Sequence, residues 1–245
     1  MIDHTNTLNE IRLNLALSCW GDMDAPMLIK SADLAASGCM PAISAESEYV
    51  HMLWSWLEKT DIRIYAKLIE KTKHGSPGKK TKDRDWDAAG AKLSEKINST
   101  FKNGADAVQL MVDKEDLGGF VSALFPVRGD LFFGRKLFIG LDLGKIDYFD
   151  WEEIFYQIEK IGADGILLDA QIANSKGRNK DQNTDDTIGR LYGLFDALPP
   201  EYSGKIQFSG LDIAGLESAW RLCQKMRPDM TGNLLFFIDA TSYKL

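Results

Sequence analysis

The stretch Ile158-Glu159-Lys160-Ile161-Gly162-Ala163-Asp164-Gly165-Ile166-Leu167-Leu168-Asp169 decides the fold. Its first four residues read as a helix tail, and Gly162 allows the left-handed conformation that stops a helix. Ile166-Leu167-Leu168 is the short apolar run of a strand covered on both faces, closed by the carboxylate of Asp169. A weaker copy, Lys102-Asn103-Gly104-Ala105-Asp106-Ala107-Val108-Gln109-Leu110-Met111-Val112-Asp113, lies earlier in the chain. Helices alternating with buried strands imply a parallel sheet, and such sheets hold their ligands at the strands' C-terminal ends.

Working outward from this unit, strands are expected at 13–20, 40–45, 62–69, 107–112, 136–143, 165–170, 205–209 and 234–238. Helices are expected between them at 26–37, 48–59, 85–103, 114–125, 150–161, 187–198 and 214–227, with Asp150 a candidate cap and 174–185 a polar insertion. The chain therefore reads as an α/β protein, a single (βα)8 TIM barrel over residues 1–245. Seven residues follow the last strand, so the eighth helix is expected to be short or absent. Residues 71–84 hold Lys71, Lys73, His74, Lys79, Lys80, Lys82 and Arg84 among Gly and Pro, and read as a mobile basic loop after strand three.

A net charge of −7 gives no overall electrostatic case for nucleic acid or an anionic membrane. No uncharged apolar run approaches the roughly 18 residues of a membrane span. Cys19, Cys39 and Cys223 are far apart and lack metal-ligand spacing, which suits a reducing, cytoplasmic setting. His4, His51 and His74 are isolated, so no metal site is expected, and no dinucleotide or P-loop motif announces a cofactor.

Period-two alternation separates side chains under the helices from those inside the barrel. Ile139, Leu141, Ile166, Leu168, Ile206 and Phe208 share one parity. The other parity holds Asn14, Ser18, Ser44, Tyr65, Lys67, Gln109, Gly140, Asp142, Gly165, Asp169, Gln207 and Ser209. Buried unpaired, such groups would each cost roughly 2–7 kcal/mol, so a polar ligand or a dense hydrogen-bond network must satisfy them. Asp142 and Asp169 end adjacent strands at similar heights, and two such carboxylates repel, raising the pKa of one into a range useful for acid/base work. Capping of the following turn is the plainer reading for each Asp. Lys67 is the cation aimed at the mouth, as anchor for an anion, partner of the Asp pair or imine former. Lys145, just past strand five, is a further candidate, and Cys19 an outside candidate for a general acid. Ser209-Gly210 before the helix near Ala214 marks a turn whose amides can approach a phosphate. The substrate-binding set is therefore Gln109, Ser44, Ser209, Gly210 and Lys145, around catalytic candidates Asp169, Asp142 and Lys67.

The second half of the chain resembles the (5-formylfuran-3-yl)methyl phosphate synthase family, TIM-barrel lyases of methanofuran biosynthesis. The similar residues are Gly162 to Asp169, then Ile172, Lys176 and Gly177, Ser209-Gly210-Leu211, and Pro228-Asp229-Met230-Thr231-Gly232. Residues 85–112 are also similar in length and pattern. The resemblance implies a catalytic Asp169 and lysines ending strands two, four and six that together condense triose phosphates. Those lysine positions hold Ala45 or a neighbour, Gln109 and Ala173, so the imine chemistry passes to Lys67 or Lys145 or is lost.

The expectation is a lyase or isomerase acting on a small anionic, phosphorylated or carboxylated metabolite, in one-carbon cofactor biosynthesis of the methanofuran type. The alternative is a catalytically degenerate barrel serving as a binding or assembly subunit. A homo-oligomer is expected from the short C-terminus and from Trp54, Trp56, Trp86, Trp151 and Trp220 at helical positions.

Overall fold

Runs rich in leucine, isoleucine and phenylalanine produce the expected strands, with ends differing by about one or two residues. The computed structural model describes residues 10–21, 23–70, 85–124, 127, 134–170 and 180–241, so the basic stretch 71–84 lies outside the described residues. The strands are β1 Leu15–Cys19, β2 Ala42–Glu46, β3 Arg63–Ile69, β4 Ala107–Met111, β5 Lys136–Asp142, β6 Gly165–Asp169, β7 Lys205–Ser209 and β8 Leu234–Asp239. Each pairs in parallel with the next, and β8 returns to β1, closing an eight-stranded barrel. Between them lie α1 Ala25–Ser37, α2 Val50–Leu57, α3 Trp86–Lys102, α4 Leu117–Ala123, α5 Trp151–Ile161, α6 Lys180–Ala197 and α7 Ile213–Met226. This is a (βα)8 barrel. Past β8 the described residues, to Thr241, form a turn.

Alternation splits the apolar residues into two cores. One parity, with Leu17, Ile43, Ile139, Ile166, Leu168 and Phe208, joins the helices in a continuous core between sheet and helix ring. The other parity fills the bore with Ala16, Ala42, Tyr65, Ala107, Met111, Phe138, Leu167, Leu235 and Phe237. Tyr65 packs 5.7 Å from Phe138 and 5.6 Å from Phe237, ring centre to ring centre, plugging the bore below the polar residues. The mouth above therefore opens at the strands' C-terminal ends.

The repeated Gly-Ala-Asp stretch is a strand-pairing device. Asp164 accepts from the Leu137 amide at 2.9 Å and pairs with Lys136 at 2.6 Å, tying β6 to β5. In the weaker copy Asp106 accepts from the Ile64 amide at 2.8 Å, tying β4 to β3. Gly162 ends α5 with φ 70, the left-handed position its sequence suggests.

Three local expectations are corrected. Helix α6 spans Lys180–Ala197 rather than 187–198; the sequence of its first residues carries no apolar stripe from which a helix could be read. Asp150 does not cap α5; its carboxylate accepts from the Asp147 amide at 2.6 Å and from Lys114 at 2.5 Å, closing the short turn Tyr148–Asp150 before the helix. Asn14 lies below β1, where its Nδ2 donates to the carbonyls of Leu234 and Thr231. Of the tryptophans, Trp151 and Trp220 are buried, whereas Trp54 and Trp56 are exposed.

Candidate functional site

The residues that alternation aims at the mouth converge there. Lys67 stands in register between Glu46 on β2 and Gln109 on β4. Its Nζ lies 3.3 Å from Asp169 Oδ2 and 3.4 Å from the centre of the Trp20 ring. A carboxylate and an aromatic face are both partners for a cation. Lys67 is 8% exposed and Asp169 2% exposed, so this is a buried ion pair.

Beneath the pair a chain of hydrogen bonds crosses the bore. Trp20 Nε1 donates to Ser44 Oγ at 2.9 Å, and Ser44 Oγ donates to Gln109 Oε1 at 2.6 Å. Gln109 Nε2 then donates to Gln207 Oε1 at 2.6 Å. This network satisfies Ser44 and Gln109, both fully buried. It leaves two groups over. Gln207 Nε2 and Ser209 Oγ are buried with no hydrogen-bond partner among the described residues, which leaves donors for a ligand's oxygen.

Asp142 and Asp169 are register partners at the ends of β5 and β6. Burial raises the Asp142 carboxyl above its ordinary range; the Asp169 charge adds to this, and the Gly144 amide and Lys145 oppose it. The turn role also holds, since Asp142 Oδ1 accepts from the Gly144 amide at 2.9 Å. On the other flank, burial raises the Glu46 carboxyl, offset by the neighbouring Lys67 ammonium and the Gly21 amide.

Other candidates sit at the edge. Lys145, in the turn after β5, is half exposed and pairs with Asp113 at 3.1 Å, outside the Lys67–Asp169 contact. Gly210 follows Ser209 with φ 72, a left-handed turn any larger residue would strain. The N-terminus of α7 beyond it is already occupied by Asp212, whose carboxylate accepts from the Gly215 amide at 2.8 Å. Cys19 faces α1 rather than the mouth, and burial pushes its thiol up to about 11. Ala173 and Lys176 lie outside the described residues. Among the described residues no group of three or more His, Cys, Asp or Glu side chains is arranged to hold a metal ion.

Sequence reasoning missed Trp20, Glu46 and Asp239. All three share the inward parity: Trp20 continues Ala16 and Ser18, Glu46 continues Ala42 and Ser44, and Asp239 continues Leu235 and Phe237. Carrying alternation one residue beyond each expected strand end finds Glu46 and Asp239.

No family model matches the chain, and no curated protein matches it. Solved structures of aldolases share its fold. A deoxyribose-phosphate aldolase candidate from Toxoplasma gondii ME49 superposes with a TM-score of 0.68 at 12% identity, over 97% of this chain and 93% of that one. The tetrameric deoxyribose phosphate aldolase of Aeropyrum pernix gives 0.60 at 8% identity, covering 88% of each chain. The YdjI aldolase of Escherichia coli K12 gives 0.56 at 15% identity, over 97% of this chain and 79% of that one. Among the described residues no helix is long and apolar enough to cross a membrane. The chain is thus an α/β barrel similar in fold to aldolases, with its polar residues gathered at one rim.

Proposed function

We propose that this protein is a lyase or isomerase that moves a proton next to the carbonyl of a small phosphorylated or carboxylated metabolite. The observation that carries the reading is the buried Lys67–Asp169 pair at the strand C-termini, with Asp142 in register beside it. Asp169 acts as the carboxylate base on the carbon next to the carbonyl. The Lys67 ammonium stabilises the negative charge that develops on the carbonyl oxygen. Asp142, its carboxyl raised by burial, holds the proton returned to the product or given to the leaving group. Gln207 Nε2 and Ser209 Oγ donate to substrate oxygens, and the Gly210 turn approaches the anionic end.

Lys67 is assigned an electrostatic rather than an imine role, because its two contacts are ones an ammonium makes. A methanofuran-type condensation, the finer expectation from the sequence resemblance, needs an imine-forming lysine. The β2 and β4 rim positions hold Glu46 and Gln109, so Lys67 or Lys145 would have to supply it. Borohydride reduction with a panel of phosphorylated ketones and aldehydes, read by mass spectrometry, separates the two. No adduct on Lys67 is expected, and an adduct would establish the imine.

The likeness in fold to aldolases supports lyase chemistry on phosphorylated sugars as the first substrate class to assay. Asp169→Asn is expected to lower turnover by about 10²–10⁴-fold with the fold intact; unchanged turnover would refute the assignment. A second reading, a binding or assembly subunit, draws support from exposed Tyr148, Phe149, Tyr156 and Tyr192 on and around α5 and α6. Homo-oligomerisation through that face would serve either reading. A stable complex with no response to any phosphometabolite would favour the subunit.

A further inference from the structure

At the opposite end of the barrel from the mouth, the strands' N-terminal ends frame a second cavity of about 630 Å³. Its inner wall is the bottom of the bore, Ala42, Tyr65 and Leu235, and its side wall is Ala36, Met40 and Pro41. Two cations line it, Arg63 at the start of β3 and Lys205 at the start of β7.

The charges around this cavity are unevenly paired. Lys136 is paired with Asp164 at 2.6 Å, Asp164 also accepts from the Leu137 amide, and the Asp106 carboxylate accepts from the neutral Ile64 amide and keeps its charge. Arg63 is exposed, stands beside Tyr65 and forms no ion pair among the described residues. Lys205 is half-buried and forms no ion pair among the described residues. Asp61, the one carboxylate in the lining, is exposed and outside ion-pair distance of both cations. Burial and the neighbouring Arg63 and Lys136 charges hold the Lys205 ammonium below its ordinary range. Like charges brought together over a partly apolar hollow are costly unless an anion sits between them.

We propose that this cavity is a binding site for a phosphoryl group borne on a small organic body, separate from the catalytic rim. Arg63 and Lys205 take the phosphoryl oxygens, and Met40, Pro41 and Leu235 face the apolar remainder. The two sites lie at opposite ends of one closed barrel, so occupancy here leaves the mouth open.

Cys39 gives a local reporter. It lines the cavity and is exposed, whereas Cys19 and Cys223 are buried with thiols pushed up to about 11 and about 12. A neutral reagent such as iodoacetamide therefore labels Cys39 first, and a bound anion shields it. The experiment follows the labelling rate of Cys39 with added inorganic phosphate and with glycerol phosphate, against chloride at equal ionic strength. Both phosphates are expected to slow labelling at least severalfold, glycerol phosphate at the lower concentration, with chloride inert. Arg63→Gln and Lys205→Gln are each expected to raise the half-protecting concentration about tenfold, the loss of one charged hydrogen bond. Lys67→Gln, at the far rim, is expected to leave protection unchanged. Chloride matching phosphate, protection that survives both cavity substitutions, or protection lost with Lys67→Gln would each overturn the proposal. The result is independent of turnover, so a failed assignment of the catalytic rim and a failed assignment here are distinguishable.

Discussion

Lys67→Met takes away the ammonium that faces the buried Asp169 carboxylate. In the native protein Asp169 is 2% exposed and faces Lys67 Nζ at 3.3 Å, while Asp142 stands in register beside it. Removing one partner of a buried pair costs about 3–5 kcal/mol, because the remaining charge keeps its desolvation penalty. Loss of the contact between Lys67 and the Trp20 ring lies within that range, at roughly 0.5–2 kcal/mol. For a chain of this length each kcal/mol moves Tm by about 2–4 °C, so the variant should melt roughly 6–20 °C lower. Asp169→Asn leaves the ammonium without its carboxylate and should cost a similar amount. The double variant removes both charges of the pair, and its loss should fall below the sum of the singles by about 3 kcal/mol. Urea denaturation of the four proteins at neutral pH measures this directly. Additivity of the two substitutions within about 0.5 kcal/mol would refute the buried-pair account.

Asp142→Asn should stabilise the protein at neutral pH while impairing activity. Burial raises this carboxyl in the folded state, so wild-type stability is lost as pH rises through its folded pKa; the amide escapes that loss and still accepts from Gly144. A Tm advantage at pH 7 that vanishes near pH 3 is the expected scan, and equal Tm values throughout would contradict it. Gly165→Ala should lower stability by about 1–3 kcal/mol, because a Cβ there would sit 2.0 Å from the Lys205 carbonyl oxygen, a backbone atom that cannot swing away. An unchanged Tm would show that the β6–β7 contact is looser than it stands.

The barrel was legible because its repeat is local. A glycine stop, an aspartate and an apolar run recur, and the same aspartate bonds the preceding strand's amide in both copies, Asp106 to Ile64 and Asp164 to Leu137. Alternation likewise found Lys67, Gln109, Ser44, Asp142, Asp169 and Ser209, since closure of a sheet forces every second side chain into the bore. Its reach stops with the strands. Lys145 lies in the turn beyond β5, where the period of two no longer applies, and the turn carries its ammonium to Asp113. Glu46 escaped notice because β2 runs one residue further than its apolar content suggests. The Lys67 contact with the Trp20 ring joins β3 to β1 across the mouth, and no spacing along the chain encodes it.

The most direct test of the rim as a proton-transfer site is exchange of substrate hydrogen with solvent. Small phosphorylated ketones and aldehydes are incubated with the protein in D2O, and loss of the signal from the hydrogen next to the carbonyl is followed by proton NMR. Exchange is expected with at least one compound for the wild type, slowed by about 10²–10⁴-fold in Asp169→Asn. Exchange that proceeds equally in Asp169→Asn, or none with any compound, would contradict it.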